Sequence, residues 1–211
     1  MQDLKLDCLL NNTKVVLDKL IQYDYMKNFV LVGGSALSLY LCHRLSEDLD
    51  FFTYYDEFDI KEIKIILSQF ENKMIVNISN EQIDVILEGV KVTFFNAKWR
   101  FLTPKKITTF NIASLEEIAI MKTNVLFLRA KYRDYYDLYF LSKNFSLKQI
   151  YKLSENILDG INFKLFITAL VFIDDIEDED IDYLKPQENI TLKDIQTYFE
   201  KQVKTMITDF T

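Results

Sequence analysis

"LVGGSALSLYLCHRLSEDLDFF", residues 31–52, places two of the chain's four glycines side by side and, about a dozen residues later, two aspartates separated by one leucine. The preceding run "NFVLVGG" is β-rich and ends on glycine, which predicts a strand handing over to a helix. "SALSLYLCHRL" predicts that helix, with Ser35 at or beside its N-cap. "DLDFFTY" predicts a second strand. Gly33 and Gly34 would let backbone approach a ligand with no Cβ in the way. The first N–H groups of the following helix, and its positive dipole end, favour an anion there. Ser35 can cap the helix or donate its hydroxyl to a phosphate oxygen. Taken alone, such a turn is equally consistent with tight packing.

Asp48 and Asp50 sharpen the reading. Residues i and i+2 of a strand share a face, so two carboxylates about 5 Å apart would repel by roughly 3 kcal/mol at an effective dielectric near 20. A cation or a proton must offset that. Hard oxygen donors at this spacing suit Mg²⁺, which keeps several waters and completes its shell with substrate phosphates.

Working outward, 211 residues suit one large domain or two small ones, and 17 Phe and 12 Tyr supply a core. The opening "MQDLKLDCLL" lacks the basic region of a signal peptide. The longest apolar run, residues 165–173, is too short to span a bilayer. Cys8 and Cys42 are too few for a disulfide framework or a cysteine zinc site, so a reduced, cytoplasmic protein with no membrane partner is expected. His43, the single histidine, argues against histidine-rich metal sites and ordinary Ser-His-Asp catalysis, and reads as a packing or surface residue.

The net charge of −7 argues against a generally basic nucleic-acid coat, but residues 91–133 hold nine Lys/Arg and only two Asp/Glu. This basic island reads either as a solvated face or as a surface for phosphates or an acidic partner. "DDIEDEDID", residues 174–182, carries seven acidic residues in nine and reads as a solvated loop between helices.

Periodicity predicts a loose helix within 4–21, a helix over 59–70, and three strands at "KMIVNIS", "IDVILEG" and "VKVTFFN", the last two forming a hairpin near Gly89. Beyond Pro104 the pattern turns helical, over 114–130, 132–142, 147–158, 161–173 and 191–207. The expected organisation is a small mixed-sheet α/β domain over 1–106 and a helical domain over 107–211, an α+β protein. In "SLEEIAIMKTNVLFLRAKYRDYYDLYFL", residues 114–141, Lys122 and Arg129 are seven apart and differ by about −20° around a helix. Arg133 falls near +20° if the helix runs unbroken. A cationic stripe would then lie beside an apolar one of Ile118, Met121, Val125 and Leu128.

Together these blocks resemble the AbiEii/AbiGii toxin family of nucleotidyltransferases. The first element is Gly33-Gly34-Ser35, then Arg44, Ser46, Asp48, Leu49, Asp50 and Phe51. The second is the helical block with Glu117, Lys122, Arg129, Arg133, Asp134 and Asp137. The resemblance spans about residues 28–141. It implies a polymerase-β-like nucleotidyltransferase domain followed by helices, and transfer of a nucleotide from a nucleoside triphosphate to an acceptor hydroxyl. Asp48 and Asp50 would hold Mg²⁺, with Mn²⁺ as a substitute. Gly33, Gly34 and Ser35 would cradle the terminal phosphates, with Arg44 and Ser46 nearby. Lys122, Arg129 and Arg133 would neutralise phosphate charge, Asp134 and Asp137 would hold the arginines in place, and Glu117 would support them. The resemblance also implies a toxin of a toxin–antitoxin or phage-defence system, an antitoxin partner, and tRNA as an acceptor that the basic island would receive.

One departure concerns the general base. Many enzymes of this fold carry a third carboxylate on a neighbouring strand, and "VKVTFF" has none. Asp84 and Glu88, on one face of the preceding strand, are the candidate substitutes, and a polar strand exit accounts for them equally well. The gap keeps open a nucleotide sensor without turnover, and a protein-interaction module in which the aspartates are incidental.

Overall fold

The computed structural model describes residues 4–53, 58–99, 101–103, 105–106, 109–173 and 175–208. Arg100 of the basic island, Pro104 at the expected boundary and Asp174 of the acidic run lie outside the described residues. The chain divides into two compact units, 1–114 and 115–211.

The first unit is built on a mixed seven-stranded sheet in the order β3-β4-β5-β2-β1-β7-β6. Its strands are β1 (Val30–Val32), β2 (Leu49–Thr53), β3 (Lys73–Ile78), β4 (Gln82–Leu87), β5 (Val90–Asn96), β6 (Lys105–Lys106) and β7 (Asn111–Ile112). β2 runs antiparallel to β1 and parallel to β5, and β4 and β5 form the expected hairpin. The short strands β6 and β7 were not legible in the sequence. β7 pairs in parallel with β1, which carries the first unit past residue 106 to Ser114.

Alternation along β2 and its neighbours sorts the two faces of this sheet. Leu49, Phe51, Val92, Phe94, Ile83 and Val85 are buried on one face, and the Phe51 and Phe94 rings stack at 5.7 Å. Each such side chain contributes about 1.5–3 kcal/mol. Helices α1 (Asn11–Leu20) and α2 (Gly33–Leu41) pack on the sheet, α1 burying Val16, Leu17 and Leu20. The helix expected within 4–21 is thus shorter, preceded by a 3-10 turn at Leu6–Cys8. A third helix, α3 (Ile60–Ser68), is started by Asp59, whose carboxylate accepts from the Lys61 and Glu62 amides.

The second unit is helical: α4 (Leu115–Arg129), α5 (Tyr132–Leu141), α6 (Leu147–Glu155), α7 (Phe163–Val171) and α8 (Leu192–Thr208). Its core includes Ile118, Tyr135, Tyr136, Ile150, Phe166 and Phe199. The acidic run is more than a solvated loop, because Asp178 accepts from the Leu192 amide at 2.7 Å at the start of α8 and Ile181 is buried.

Candidate active site

In the first unit the site is set by the β1–α2 turn and the loop from Cys42 to Asp48. α2 begins at Gly33, with Val32 as its N-cap, so Ser35 lies inside the first turn instead of capping it. Its hydroxyl, on a residue only 2% exposed, is turned inward. Ser35 Oγ sits 2.9 Å from Ser46 Oγ and within hydrogen-bond reach of the Asp48 carbonyl. Having one proton, it donates to the carbonyl while accepting from Ser46. Ser35 and Ser46 therefore pin the backbone that presents Asp48.

The two glycines are explained by what lies against them. Gly33 has φ +70°, and a Cβ built on it would meet Asp50 Oδ2 at 2.7 Å. Gly34 faces Arg44 in the same way, a Cβ there meeting Nη2 at 2.7 Å. The Asp50 carboxylate thus rests at the N-terminal end of α2, where unpaired N–H groups and the dipole stabilise negative charge. Arg44, 4% exposed, packs its guanidinium against the next residue of the same turn and donates to the Leu45 carbonyl at 3.1 Å. The space beside each glycine is therefore taken by a side chain of this chain.

Asp48 and Asp50 are both part-exposed, with Asp48 immediately before β2 and Asp50 within it. Asp50 is in register with Thr93 of β5, and Thr93 with Asp84 of β4. The three therefore form a row across the less buried face, where Thr93 Oγ1 donates to Asp84 Oδ1 at 2.9 Å. Asp84 also accepts from Gln82 Nε2 at 2.8 Å. Glu88 falls elsewhere. It sits in the β4–β5 turn at φ +49°, and its carboxylate accepts from the Asn72 side chain at 2.8 Å and from the Glu71 and Asn72 amides. Those bonds, the Asn72 side chain first, hold its pKa below the usual carboxylate value. Of the two expected substitutes, only Asp84 shares the row of Asp50. Among the described residues no cluster of three or more metal-ligating side chains forms.

Cys8 and Cys42 are joined in a disulfide with Cα atoms 5.4 Å apart, correcting the expectation of reduced thiols. His43, next in sequence, is fully buried.

In the second unit the continuous cationic stripe does not form. α4 ends at Arg129 and α5 starts at Tyr132, with Lys131 extended at φ −130°. Lys122, 8% exposed, places its ammonium 2.9 Å from Asp134 Oδ1 and 2.6 Å from Asp137 Oδ2. Asp134 also accepts from the Lys131 amide at 3.2 Å, so it ties α4 to the start of α5. Arg129, with a 62% exposed side chain, approaches Asp134 at 3.6 Å. Arg133 pairs instead with Glu179 of the acidic run at 3.1 Å, a partner that spacing along one helix could not reveal. Glu117 is buried in α4. The basic island is likewise partly neutralised, since Lys98 pairs with Glu81.

Residues 15–101 and 82–210 match the family model described as "Nucleotidyl transferase AbiEii toxin, Type IV TA system". An uncharacterized protein of Aquifex aeolicus (strain VF5) is 28% identical over 194 residues, covering 89% of this chain and 92% of that one. Among solved structures, MenT4, the nucleotidyltransferase toxin Rv2826c of Mycobacterium tuberculosis H37Rv, superposes with a TM-score of 0.59 at 15% identity, covering 89% of this chain and 80% of its own. JHP933 of Helicobacter pylori gives 0.51 at 18% identity over 99% and 100%. These structural likenesses carry the fold, and the family model, matched over most of the chain, carries the family. The chain belongs to the AbiEii nucleotidyltransferase toxin family.

Proposed function

We propose that the enzyme transfers a nucleoside monophosphate from a nucleoside triphosphate to an acceptor hydroxyl, releasing pyrophosphate, with Asp48 and Asp50 holding Mg²⁺ or Mn²⁺. The observation that carries this is the seating of Asp50 against Gly33 at the start of α2, two residues from an Asp48 whose carbonyl Ser35 holds. Hard carboxylate oxygens beside a helix N-terminus suit a divalent cation bridged to phosphates. When bound, the ion supplies Lewis-acid stabilisation of charge on the transferring phosphoryl group.

The chain's own groups do the rest. The α2 N-terminal amides at Gly33 and Gly34 attract phosphate oxygens, and Arg44 adds positive charge from beneath the turn. Arg44, Ser46 and Ser35 act by fixing the loop rather than by reaching into solvent, since all three are buried. The Thr93–Asp84 pair takes the place of the third carboxylate. Thr93 Oγ1 donates to Asp84, leaving its lone pairs able to accept from an acceptor hydroxyl, with Asp84 as the proton's destination. We assign no phosphate contact to Lys122, whose ammonium is committed to two carboxylates. A tRNA end is the acceptor class that the family reading favours, and an antitoxin is the expected genetic partner.

Incubation with each labelled nucleoside triphosphate, Mg²⁺ and total bacterial RNA or protein tests this reading. Label should move to one acceptor class with wild type and stay in the nucleotide with Asp48→Ala or Asp50→Ala. Folded wild-type protein that labels nothing, or variants that label as well as wild type, would remove the assignment.

A further inference from the structure

Both cysteines of the chain converge on the loop that carries the aspartates. Cys8 is 5% exposed and Cys42 is half-buried, and the disulfide closes a separation of 34 residues. Cys42 is the C-cap of α2, in the left-handed region at φ +53°, and begins the loop through Arg44, Ser46 and Asp48. The segment around Cys8 is sewn to that loop on both sides of the bond. The Lys5 amide donates to Leu39 at 2.8 Å, the Leu10 amide to Ser46 at 3.0 Å, and the Ser46 amide back to Cys8 at 3.3 Å. Leu9 and Ser46 form a parallel bridge, and Thr13 Oγ1 donates to the Glu47 carbonyl at 2.8 Å. The covalent link therefore sits where α2 ends and the loop that leads to Asp48 starts.

We infer that Cys8 and Cys42 form a reversible redox site whose oxidant is a peroxide and whose oxidised state holds the Arg44–Asp48 loop in its productive arrangement. Bearing on catalysis, the inference rests on the aspartate reading above, whereas the lock itself does not. In the oxidising direction one thiol attacks the peroxide, giving a sulfenic acid and water. The second thiol then displaces the sulfenic hydroxyl, forming the S–S bond and a second water. Two electrons leave the sulfur pair and reduce one peroxide to two waters. In the reducing direction a thiolate of an external dithiol attacks the sulfur of Cys42, the more exposed residue, and Cys8 leaves as a thiol; the dithiol's second sulfur then displaces Cys42, and the reductant departs as its own disulfide. Of the three backbone links that remain after reduction, the Ser46 amide bond at 3.3 Å is the longest.

The test uses the full chain after treatment with hydrogen peroxide or dithiothreitol, together with Cys8→Ser and Cys42→Ser. Alkylation and mass spectrometry count free thiols, hydrogen exchange reads residues 42–50, and the transfer assay is run in parallel. Peroxide should remove both thiols together, with loss of two hydrogens and no added oxygen. Reduction should speed exchange of the loop amides by roughly tenfold and lower transfer, while both serine variants form no internal cross-link and exchange like the reduced chain before and after peroxide. Stable sulfenic or sulfinic adducts in place of the cross-link, or equal loop exchange in both states, would overturn the inference. A redox-dependent loop in a protein that transfers nothing would sink the catalytic reading and leave the lock standing.

Discussion

The Asp50 carboxylate occupies the space a side chain on Gly33 would need, 2.7 Å from where its Cβ would fall. Gly89 provides the control, because it too has positive φ, at +84°, but nothing lies within 4 Å of its Cβ position. Gly89→Ala should cost about 1 kcal/mol, the strain of a left-handed alanine alone. Gly33→Ala should cost about 2–4 kcal/mol, because strain and displacement of Asp50 add, and transfer should fall to background. Trp99, the only tryptophan, lies in the first unit and packs on Phe52 at 5.7 Å, so its fluorescence reports this unfolding in urea. Equal losses for the two alanines would mean the Asp50 contact has no energetic weight.

Ser35→Ala removes the buried hydroxyl that links the buried Ser46 to the Asp48 carbonyl. A loss of about 1–3 kcal/mol is expected from the carbonyl and hydroxyl left unsatisfied. With Asp48 less well fixed, half-maximal transfer should need several times more Mg²⁺ while the saturating rate changes less. A metal titration of the assay distinguishes this from a direct phosphate contact, which would instead raise the KM for nucleotide.

How much of this was legible in the sequence follows from how local each feature is. The strand, glycine turn, helix and Asp-x-Asp are contiguous, so period and turn chemistry were enough to place them. Asp84 was reachable by the two-residue period of its strand, but its alignment with Asp50 needed the Thr93 register between them. β7 is two residues long and pairs with a strand some eighty residues earlier, which no local pattern encodes. The break after Arg129 falls where the helices expected over 114–130 and 132–142 left a gap, although neither glycine nor proline marks it. Its signature is Asp134, three residues after Lys131, accepting from the Lys131 amide. The burial of Arg44 under Gly34, the Arg133–Glu179 pair and the Cys8–Cys42 bond are tertiary facts, invisible to spacing.

Lys122 offers a separate test in the helical unit. Lys122→Met leaves Asp134 and the fully buried Asp137 without their ammonium, and should cost about 3–5 kcal/mol. Adding Asp137→Asn should recover part of that loss, because one uncompensated buried charge disappears. Far-UV circular dichroism during denaturation follows the helices. A simple sum of the two single-variant losses would mean that these groups do not act as a unit.

The helical unit should also be the first to fail in alkali. Burial, foremost, pushes the Tyr132 and Tyr135 phenols up to about 12 from an ordinary 10.0. Folded-state values raised above unfolded ones give stability that is fully present below pH 10 and is lost as pH rises toward 12, because the unfolded chain ionises first. Tyr135→Phe should flatten that decline while costing about 1 kcal/mol at neutral pH, through its hydroxyl bond to the Ala169 carbonyl. Midpoints of urea unfolding between pH 8 and 11.5 supply the curve, and an unchanged slope in Tyr135→Phe would exclude this phenol as its source.

Reduction of Cys8–Cys42 should be felt most in the sheet unit that contains it. Removing a cross-link over 34 residues restores chain entropy to the unfolded state worth roughly 4 kcal/mol in the loop-closure model. Both cysteines lie before residue 114, so the Trp99 transition should move to lower urea on adding dithiothreitol while the helical circular-dichroism signal moves less. Cys8→Ser and Cys42→Ser should each reproduce the reduced midpoint and show no further response to reductant. If one serine variant matched the oxidised protein, the bond would contribute nothing to the first unit's stability, and the hydrogen bonds of Lys5, Leu10 and Ser46 would suffice to hold the N-terminal segment against the loop.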